Sequence, residues 1–293
     1  MVSRAVTRTK HWLQAVRPLA QLNIAVPLVL GQAAAWHVHQ RFDAGWLVGA
    51  FVWGLFDHAF IVLSNDYADR DADSGARTWI SGGSGVLPEG KLSPKQVARA
   101  ARIAAFGLIA WSFGLAVMDR PWTPAYAAIA ISLLWLYSFE PARMSYRGGG
   151  ELLQGLGIGA GLPSLGYYLQ SEAFVVPWWV LVPAVVLGVC ANALSALPDF
   201  DDDRNAGKRT WAVRFGVETS YRLAIGGITL SAIAVFAWTP GVSSGIRLIV
   251  AVTPLIPLAL AMRAKDSFAK AWWGSAAVQL LLLLWAVALF VTG

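Results

Sequence analysis

Long apolar stretches alternate with short charged segments along the whole chain. About nine of these stretches approach the roughly 20 residues that an α-helix needs to cross a bilayer. They run over residues 15–38, 45–66, 94–118, 121–139, 150–170, 175–198, 219–238, 245–263 and 270–291. The pattern predicts an all-α, polytopic membrane protein. We expect a single domain over residues 1–293, with two four-helix halves at 15–139 and 150–263 and a last helix at 270–291.

The composition supports this prediction and excludes other classes of protein. Of the 293 residues, 57% are apolar and 14% are charged, with a mean hydropathy of +0.55, whereas a soluble domain carries about 25% charged residues. The net charge of +6 does not indicate a nucleic-acid partner, because the Lys and Arg residues stand beside the apolar stretches. Cys190 is the only cysteine, which excludes disulfide bonds.

The basic residues are distributed unequally between the two sides that nine spans define. With the N-terminus inside, 20 of the 23 Lys and Arg residues fall on the cytoplasmic side, and Arg41, Arg120 and Arg247 remain on the other. Positive residues accumulate on the cytoplasmic side of membrane proteins, so this distribution predicts nine helices and a cytoplasmic N-terminus. The basic N-terminal segment is not followed by a short apolar core with a cleavage site, so we expect the first span to be retained.

Two short clusters contain eight of the 17 acidic residues, and each lies where an apolar stretch meets the cytoplasmic side. They are Asp66, Asp69, Asp71 and Asp73, and Asp199, Asp201, Asp202 and Asp203. Asp66, Asp69 and Asp73 are spaced to share one helix face, and so are Asp199 and Asp203. Crowded carboxylates repel each other unless a cation holds them. Hard oxygen ligands without His or Cys favour Mg²⁺, which takes one or two carboxylates plus phosphate oxygens of a substrate.

Solvated loops and calcium binding account for the acidic clusters less well. Solvated loops that end helices explain a single cluster, but two clusters in matching positions on one membrane side disfavour them. A calcium-binding EF-hand loop starting at Asp199 is excluded, because Arg204 takes the place of its Gly and Thr210 the place of its last Glu.

Basic residues lie close to both acidic clusters. They are Arg70, Arg77 and Lys91 after the first, Arg204, Lys208 and Arg209 after the second, and Arg143 and Arg147 on the loop between them. Two acidic faces surrounded by bases suit a diphosphate, because Arg offers a planar fork to phosphate oxygens and Lys a point charge. For any single base, membrane orientation is the competing interpretation, and it accounts for Lys265 and Lys270.

Asp57 and His58 are polar residues inside a predicted span, eight and seven residues before Asn65. A charge inside a span is costly and is normally functional or directed into a cavity. Either side chain is suited to orient or deprotonate a substrate hydroxyl. The alternative is a polar pair that only satisfies neighbouring helices.

The acidic segments resemble motifs of the UbiA superfamily of membrane prenyltransferases. Residues 65–73, Asn-Asp-Tyr-Ala-Asp-Arg-Asp-Ala-Asp, match its NDxxDxxxD motif, and residues 199–203, Asp-Phe-Asp-Asp-Asp, match its DxxxD motif. Within the superfamily the chain is most similar to the MenA-type branch, which prenylates dihydroxynaphthoate. Arg17-Pro18 and residues 137–151 and 203–216 resemble stretches of that branch in the same order.

The resemblance implies helices around a central cavity and transfer of an isoprenoid from a prenyl diphosphate to a small aromatic acceptor, in menaquinone-type quinone biosynthesis. It implies two Mg²⁺ ions held by Asp66, Asp69, Asp73, Asp199 and Asp203, with Asn65 and His58 also in the catalytic site. The residues expected to bind the diphosphate are Arg77, Lys91, Arg143, Arg147, Lys208 and Arg209. Those expected to face the acceptor or an allylic cation are Asp57, Tyr67, Tyr137, Tyr146, Trp135 and Tyr168. The expected location is the inner cell membrane, with the active site facing the cytoplasm.

Two other functions stay open at this point. A transporter of an anionic substrate would explain the spans and the basic loops, but not the paired acidic faces. A UbiA-type terpene cyclase would ionise a prenyl diphosphate without any acceptor. The sequence leaves open the acceptor, the prenyl chain length and the oligomeric state.

Overall fold

A computed structural model describes residues 2–71 and 83–293, without the side chains of residues 2–6 and 8. Within these ranges the ordered elements are all helical, which confirms the all-α prediction. Large apolar side chains such as Phe106, Val117 and Val175 are exposed on the outside of the bundle. Exposed apolar side chains this numerous are unusual on a soluble monomer, and lipid explains them here. The chain is a multi-pass membrane protein.

The helices of the described ranges differ widely in length. They are α1 (Val2–Val16), α2 (Leu22–His39), α3 (Ala44–Asp69), α4 (Pro94–Val117), α5 (Thr123–Ser138), α6 (Met144–Arg147), α7 (Gly150–Leu156), α8 (Leu162–Ser171), α9 (Trp178–Ser195), α10 (Phe200–Asn205), α11 (Trp211–Phe215), α12 (Val217–Trp238), α13 (Ser244–Val252), α14 (Leu255–Arg263) and α15 (Ser267–Thr292). A 3₁₀ turn at Pro18–Gln21 precedes α2, and a π-helical turn at Gly157–Gly161 joins α7 to α8.

Seven helical segments of the described ranges are long and apolar enough to span a membrane. They are Thr9–His39, α3, α4, α9, α12, Ser244–Arg263 and α15. All seven coincide with predicted spans. Of the other two predicted spans, 121–139 corresponds to α5, which has only 16 residues, and 150–170 is divided into α7, the π turn and α8. The number of nine spans and the orientation of the N-terminus therefore stay predictions.

Two predicted spans contain breaks that hydropathy does not show. The predicted span at 15–38 begins inside α1, which ends before Arg17 adopts a left-handed conformation with φ 44°. Pro18, which lacks an N–H, then starts the 3₁₀ turn. The predicted span at 245–263 is divided at Thr253 and Pro254, between α13 and α14.

α2 and α8 meet backbone to backbone in the middle of the bundle. A Cβ on Gly31 would lie 2.0 Å from the Pro163 carbonyl oxygen, and one on Gly166 would lie 2.2 Å from that of Leu28. Both positions therefore require glycine, as is common where membrane helices pack closely. α2 contributes to two apolar cores, one shared with α9, α12 and α15 and the other with α3, α4 and α5.

The described residues of both acidic clusters lie at one end of this bundle. α3 ends at Asp69, and α10 begins directly after Asp199. The segment before α4 folds back on α3, where Val86 and Leu92 join the apolar cluster of Val62 and Leu63. We use the name acidic end for the region around Asp66, Asp69, Asp199 and Asp203.

Candidate active site

The last turns of α3 carry two buried carboxylates of the acidic end. Asp66 and Asp69 are one turn apart and are 4% and 6% exposed. Asp66 Oδ1 accepts hydrogen bonds from Arg17 Nη2 at 3.2 Å and from the Ser84 backbone N–H at 3.1 Å. Asp66 Oδ2 is buried and has no hydrogen-bond partner in the part of the chain that the structure describes. Since a buried charge needs compensation, this oxygen is suited to bind a cation.

Lys208 joins the two acidic clusters. Its Nζ lies 3.2 Å from Asp69 Oδ2 and 3.3 Å from Asp203 Oδ1. Burial alone would lower the pKa of Lys208, but the carboxylates of Asp69 and Asp203 outweigh burial and raise that pKa above its usual value. Burial also raises the pKa of Asp203, against the opposing effect of the ammonium group. Lys208 is thus a fixed positive charge between two carboxylates.

The second acidic cluster lies on and beside α10. The backbone N–H of Asp203 donates to the Asp199 carbonyl oxygen at 2.7 Å, so the two residues are one helical turn apart. Both line the cavity described below, together with Asp202, whereas Asp201 is exposed. Gly207 then adopts a left-handed conformation (φ 76°), which favours glycine. This turn brings Lys208 back to the acidic end.

Arg17 is a site residue that was not predicted from the sequence. Its side chain lines the cavity and reaches Asp66, and its left-handed backbone is uncommon for a residue other than glycine. His58 Nε2 donates to the Val16 carbonyl oxygen at 2.7 Å and so holds the chain at this turn. The sequence indicated this residue only through the Arg17-Pro18 pair. Hydropathy gave no reason to expect that pair beside Asp66.

Arg143 and Tyr146, both predicted site residues, lie at Asp69. The Tyr146 hydroxyl donates to Asp69 Oδ1 at 3.2 Å, and Arg143 Nη2 lies 3.9 Å from the same oxygen. The Arg143 guanidinium also lies 3.5 Å from the centroid of the Tyr146 ring. Burial, followed by the charge of Asp69, raises the pKa of Tyr146 to about 12. Tyr146 therefore remains a hydrogen-bond donor to the acidic cluster.

Four of the predicted diphosphate-binding bases do not line the cavity: Arg143, which instead contacts Asp69 from outside the lining, and Lys91, Arg147 and Arg209. Lys91 Nζ donates to Gln14 Oε1 at 2.9 Å and pairs with Glu89. Arg147 is exposed and lies 3.6 Å from Glu140, and Arg209 is exposed too. Two further predicted residues, Asp73 and Arg77, lie outside the described residues.

A cavity of about 320 Å³ extends from the acidic end into the bundle. At the acidic end it is lined by Asp69, Asp199, Asp202, Asp203 and Lys208. Deeper in the bundle, α2, α3, α5, α7, α8 and the π turn supply a mainly apolar lining that includes Ile24, Ile61, Leu133, Leu134, Leu153 and Leu162. One end of the cavity is therefore charged and the other is apolar, as suits a ligand with an anionic head and a hydrocarbon tail.

Polar side chains line the cavity just inside the acidic end. Ser138 Oγ donates to Asn65 Oδ1 at 3.1 Å. Tyr137 is hydrogen-bonded to Asn192, whose Nδ2 donates to Gln154 Oε1 at 3.0 Å. Asn65 and Tyr137 were predicted from the sequence, whereas Gln154 and Asn192 were not. Both are polar residues inside apolar spans, which are commonly functional, so the sequence did indicate them.

Asp57 and His58 lie farther from the acidic end, and both line the cavity. Asp57 is fully enclosed, at 2% exposure, whereas His58 is committed to the Val16 carbonyl oxygen. Of the two, Asp57 is the side chain that remains available to a ligand.

Four of the five predicted aromatic residues lie outside the cavity lining: Tyr67, Trp135, Tyr146 and Tyr168. Tyr67 packs under the Arg70 guanidinium, and Trp135 is exposed on α5. Tyr168 is buried near the opposite end of the bundle, with its ring 5.1 Å from that of Phe174. The aromatic rings that do line the cavity, besides Tyr137, are Trp53 and Tyr126, which the sequence analysis did not assign.

α5 lies beside α7 and the π turn along one side of the cavity. Tyr137 contacts Gly150 near the acidic end, and the Tyr126 hydroxyl donates to the Ser164 carbonyl oxygen farther along. Between these contacts a Cβ on Gly157 would lie 3.7 Å from Leu133 Cδ1, with no closer neighbour. Ile129, on the same side of the cavity, is half exposed. Because Gly157 has no side chain, the π turn leaves space beside α5 that suits the hydrocarbon chain of a ligand.

The donor atoms of the acidic end fit Mg²⁺ shared with a phosphate ligand. No three His, Cys, Asp or Glu side chains of residues 2–71 and 83–293 surround a single point. Each cluster would therefore supply one or two carboxylates to an ion, which is the number that Mg²⁺ takes beside phosphate oxygens. The buried Asp66 Oδ2 and the convergence of Asp69 and Asp203 support this arrangement.

Comparisons with known proteins agree with this geometry. A sequence model of the UbiA prenyltransferase family matches residues 24–287. A 2-carboxy-1,4-naphthoquinone phytyltransferase of Synechocystis sp. is 28% identical over 244 residues, which are 81% of this chain and 75% of that protein. A 4-hydroxybenzoate octaprenyltransferase of Yersinia pseudotuberculosis is 28% identical over 202 residues, which are 68% of this chain and 65% of that protein.

Solved structures share the fold. A UbiA homolog from Archaeoglobus fulgidus, bound to GPP and Mg²⁺, superimposes with a TM-score of 0.64 at 17% identity, over 96% of this chain and 99% of that one. The apo structure of a UbiA homolog from Aeropyrum pernix K1 gives a TM-score of 0.64 at 15% identity, over 92% and 96%. At such identities the likeness establishes the arrangement of helices and nothing finer.

Proposed function

Since the chain belongs to the UbiA prenyltransferase family, we propose that it transfers an isoprenoid chain from a prenyl diphosphate to a small aromatic acceptor inside the membrane, with Mg²⁺ as cofactor. The family resemblance seen in the sequence is thereby confirmed. The naphthoquinone phytyltransferase relative supports an acceptor of menaquinone-type quinone biosynthesis.

The observation that carries the proposal is the Lys208 ammonium held between Asp69 and Asp203 at the mouth of an apolar cavity. A diphosphate needs buried positive charge, and its allylic chain needs an enclosed apolar space. The described residues place both in one continuous cavity. Lys208 lies at the cavity mouth, and Arg17 and Arg143 each reach a carboxylate of α3 beside it.

These residues account for ionisation of the donor. Bound Mg²⁺, held by the Asp66, Asp69, Asp199 and Asp203 carboxylates, would neutralise the diphosphate as a leaving group. Lys208, Arg17 and Arg143 place fixed positive charge where negative charge develops on the leaving oxygens. None of these bases has to move far, because each already contacts an acidic side chain of the site.

The cavity accounts for the fate of the allylic carbon. The bond between C1 and the diphosphate oxygen breaks, and the diphosphate leaves with the electron pair. A carbon of the aromatic ring forms the new bond to C1, and the substituent that it carried, normally a proton, is released. The apolar lining excludes water, which would otherwise capture the cation. The rings of Trp53, Tyr126 and Tyr137 offer faces that stabilise it.

We place the acidic end at the cytoplasmic face of the inner membrane. The loops that carry Lys208 and Arg143 belong to the side that holds 20 of the 23 basic residues, and such residues accumulate in the cytoplasm. Soluble acceptors and Mg²⁺ would then reach the site from the cytoplasm, and the prenyl tail would extend into lipid.

Acceptor-dependent release of diphosphate tests this proposal. The purified protein is incubated with geranyl diphosphate and Mg²⁺, with or without 4-hydroxybenzoate or 1,4-dihydroxy-2-naphthoate, and diphosphate and prenylated product are measured. We expect release and product only with an acceptor. Release without any acceptor would favour a cyclase, and the absence of release would favour a transporter. Asp69→Asn should abolish turnover, whereas Asp43→Asn, at the other end of α3, should retain it, since Asn caps a helix as well as Asp.

A further inference from the structure

Asp57 is a buried carboxyl group that the fold itself does not satisfy. Its side chain is 2% exposed and lines the cavity. Oδ1 is enclosed by protein, and none of the residues described by the structure hydrogen-bonds to it. A polar group in this position, inside a membrane span, weakens the fold unless something else binds it.

Two donor side chains near Asp57 already have partners. His58 Nε2 donates to the Val16 carbonyl oxygen at 2.7 Å. Trp53 Nε1 donates to Ser112 Oγ at 2.9 Å. These two donors are therefore engaged elsewhere, which leaves Asp57 Oδ1 open to a donor from a ligand in the cavity.

We propose that Asp57 accepts a hydrogen bond from a hydroxyl group of the aromatic acceptor, an assignment that rests on the proposed prenyl transfer. Asp57 and Asp69 both line the cavity, and they are twelve residues apart on the continuous helix α3, which is about 18 Å along its axis. A diphosphate at Asp69 and Lys208, followed by C1 of the donor and an aromatic ring, fits within that distance. The ring hydroxyl then points to Asp57, and the reacting carbon lies between the hydroxyl and the diphosphate.

The chemistry of the cavity defines which acceptor fits. A hydroxyl supplies the donor that Asp57 lacks, and a carboxyl group that accepts its hydrogen bond increases the electron density of the ring. A carboxylate substituent on the same acceptor is repelled by Asp57 and is directed to the bases Arg17 and Lys208 at the acidic end. The acceptor is therefore a hydroxylated aromatic compound with its hydroxyl directed away from the acidic end.

A cycle of variants and acceptor analogues tests this assignment. The ratio of kcat/KM for an acceptor and for its methyl ether is measured with 4-hydroxybenzoate against 4-methoxybenzoate, and with 1,4-dihydroxy-2-naphthoate against its 4-methyl ether. We expect the wild type to prefer the hydroxyl compound by tenfold to a hundredfold, on the order of one charge-assisted hydrogen bond. In Asp57→Leu the ratio should fall to about one, with the KM for geranyl diphosphate changed less than about twofold. Asp57→Asn, which keeps an acceptor oxygen, should give an intermediate ratio, and the control Asp43→Asn the wild-type ratio.

Thermal unfolding in detergent separates recognition from a structural role. Asp57→Leu should unfold at or above the wild-type temperature, because an apolar side chain replaces a carboxyl group that lacks a partner. Unchanged discrimination in Asp57→Leu would overturn the assignment. A lowered unfolding temperature with an unchanged KM for the acceptor would overturn it too.

The assignment can fail separately from the proposed function. If the wild type prenylates none of these acceptors, the stabilisation of the protein by each acceptor still tests Asp57. In the wild type, the hydroxyl compound should then raise the unfolding temperature more than its methyl ether does. In Asp57→Leu, the two compounds should raise the unfolding temperature equally. Equal stabilisation by both compounds in the wild type would refute the hydrogen bond.

Discussion

Replacing Lys208 by Gln would remove the positive charge that lies 3.2 Å from Asp69 and 3.3 Å from Asp203. A charge-assisted contact of this kind contributes about 1.5–3 kcal/mol, and about 1.4 kcal/mol corresponds to a factor of ten. We therefore expect kcat/KM for the prenyl diphosphate to fall by roughly tenfold to a hundredfold. The KM for the aromatic acceptor should change little, because Lys208 lies at the acidic end. Steady-state kinetics with each substrate varied in turn measure both effects.

The same substitution should change the stability of the protein in a metal-dependent way. Without Lys208, two buried carboxylates lose their shared cation, and breaking a buried ion pair costs about 3–5 kcal/mol. The variant should unfold at a lower temperature than the wild type in EDTA. Added Mg²⁺ should stabilise the variant more than the wild type, because the ion no longer competes with an ammonium group.

Lys265→Gln is the matched control, since it removes the same charge from an exposed position between α14 and α15, on the predicted cytoplasmic side. It should leave both sets of kinetics unchanged. If Lys208→Gln behaved like this control, the assignment of Lys208 to the diphosphate would be refuted. Equal losses for both substrates would indicate a distorted site instead of a lost contact.

Chelation by EDTA should abolish transfer and Mg²⁺ should restore it, so product formation that survives thorough chelation would contradict the metal site. Arg143→Gln should raise the KM for the prenyl diphosphate and Arg147→Gln should not, because Arg143 contacts Asp69 and Arg147 is exposed. A KM raised by Arg147→Gln and unchanged by Arg143→Gln would contradict this assignment. Gly157→Leu should fill the space in the cavity beside α5 and reduce the use of long prenyl diphosphates at least about tenfold relative to dimethylallyl diphosphate. Gly114→Leu, where a side chain meets open space on α4, should keep the wild-type preference.

Most of the fold could be predicted from hydropathy because lipid imposes a strict rule on the chain. A spanning helix has to be long and apolar, so the predicted span at 45–66 lies within α3 at 44–69. Breaks within spans depend on local backbone geometry, which hydropathy does not report. The left-handed Arg17 and the π turn at Gly157–Gly161 are of this kind.

The acidic end could be predicted in part. Carboxylates at the ends of two spans are visible in the sequence, and the structure brings Asp69 and Asp203 to one ammonium group. The direction of a basic side chain on a loop is not visible there. Arg143 and Arg147 belong to the same loop, but the short helix α6 directs the first to Asp69 and leaves the second beside Glu140. Such a difference depends on contacts between distant segments.

Arg17 and Arg143 show why the acidic end has the residues it has. Both adopt left-handed backbone conformations, with φ 44° and 39°, and such a conformation costs on the order of 1–3 kcal/mol in a residue other than glycine. Glycine at either position would relieve the strain, but it would also remove a guanidinium group that reaches a carboxylate of α3. The sequence therefore retains strain in order to keep charge at the cavity mouth. The ion pairs that hold these arginines in the free protein are also the ones that a bound diphosphate would exchange, so stability and donor binding depend on the same contacts.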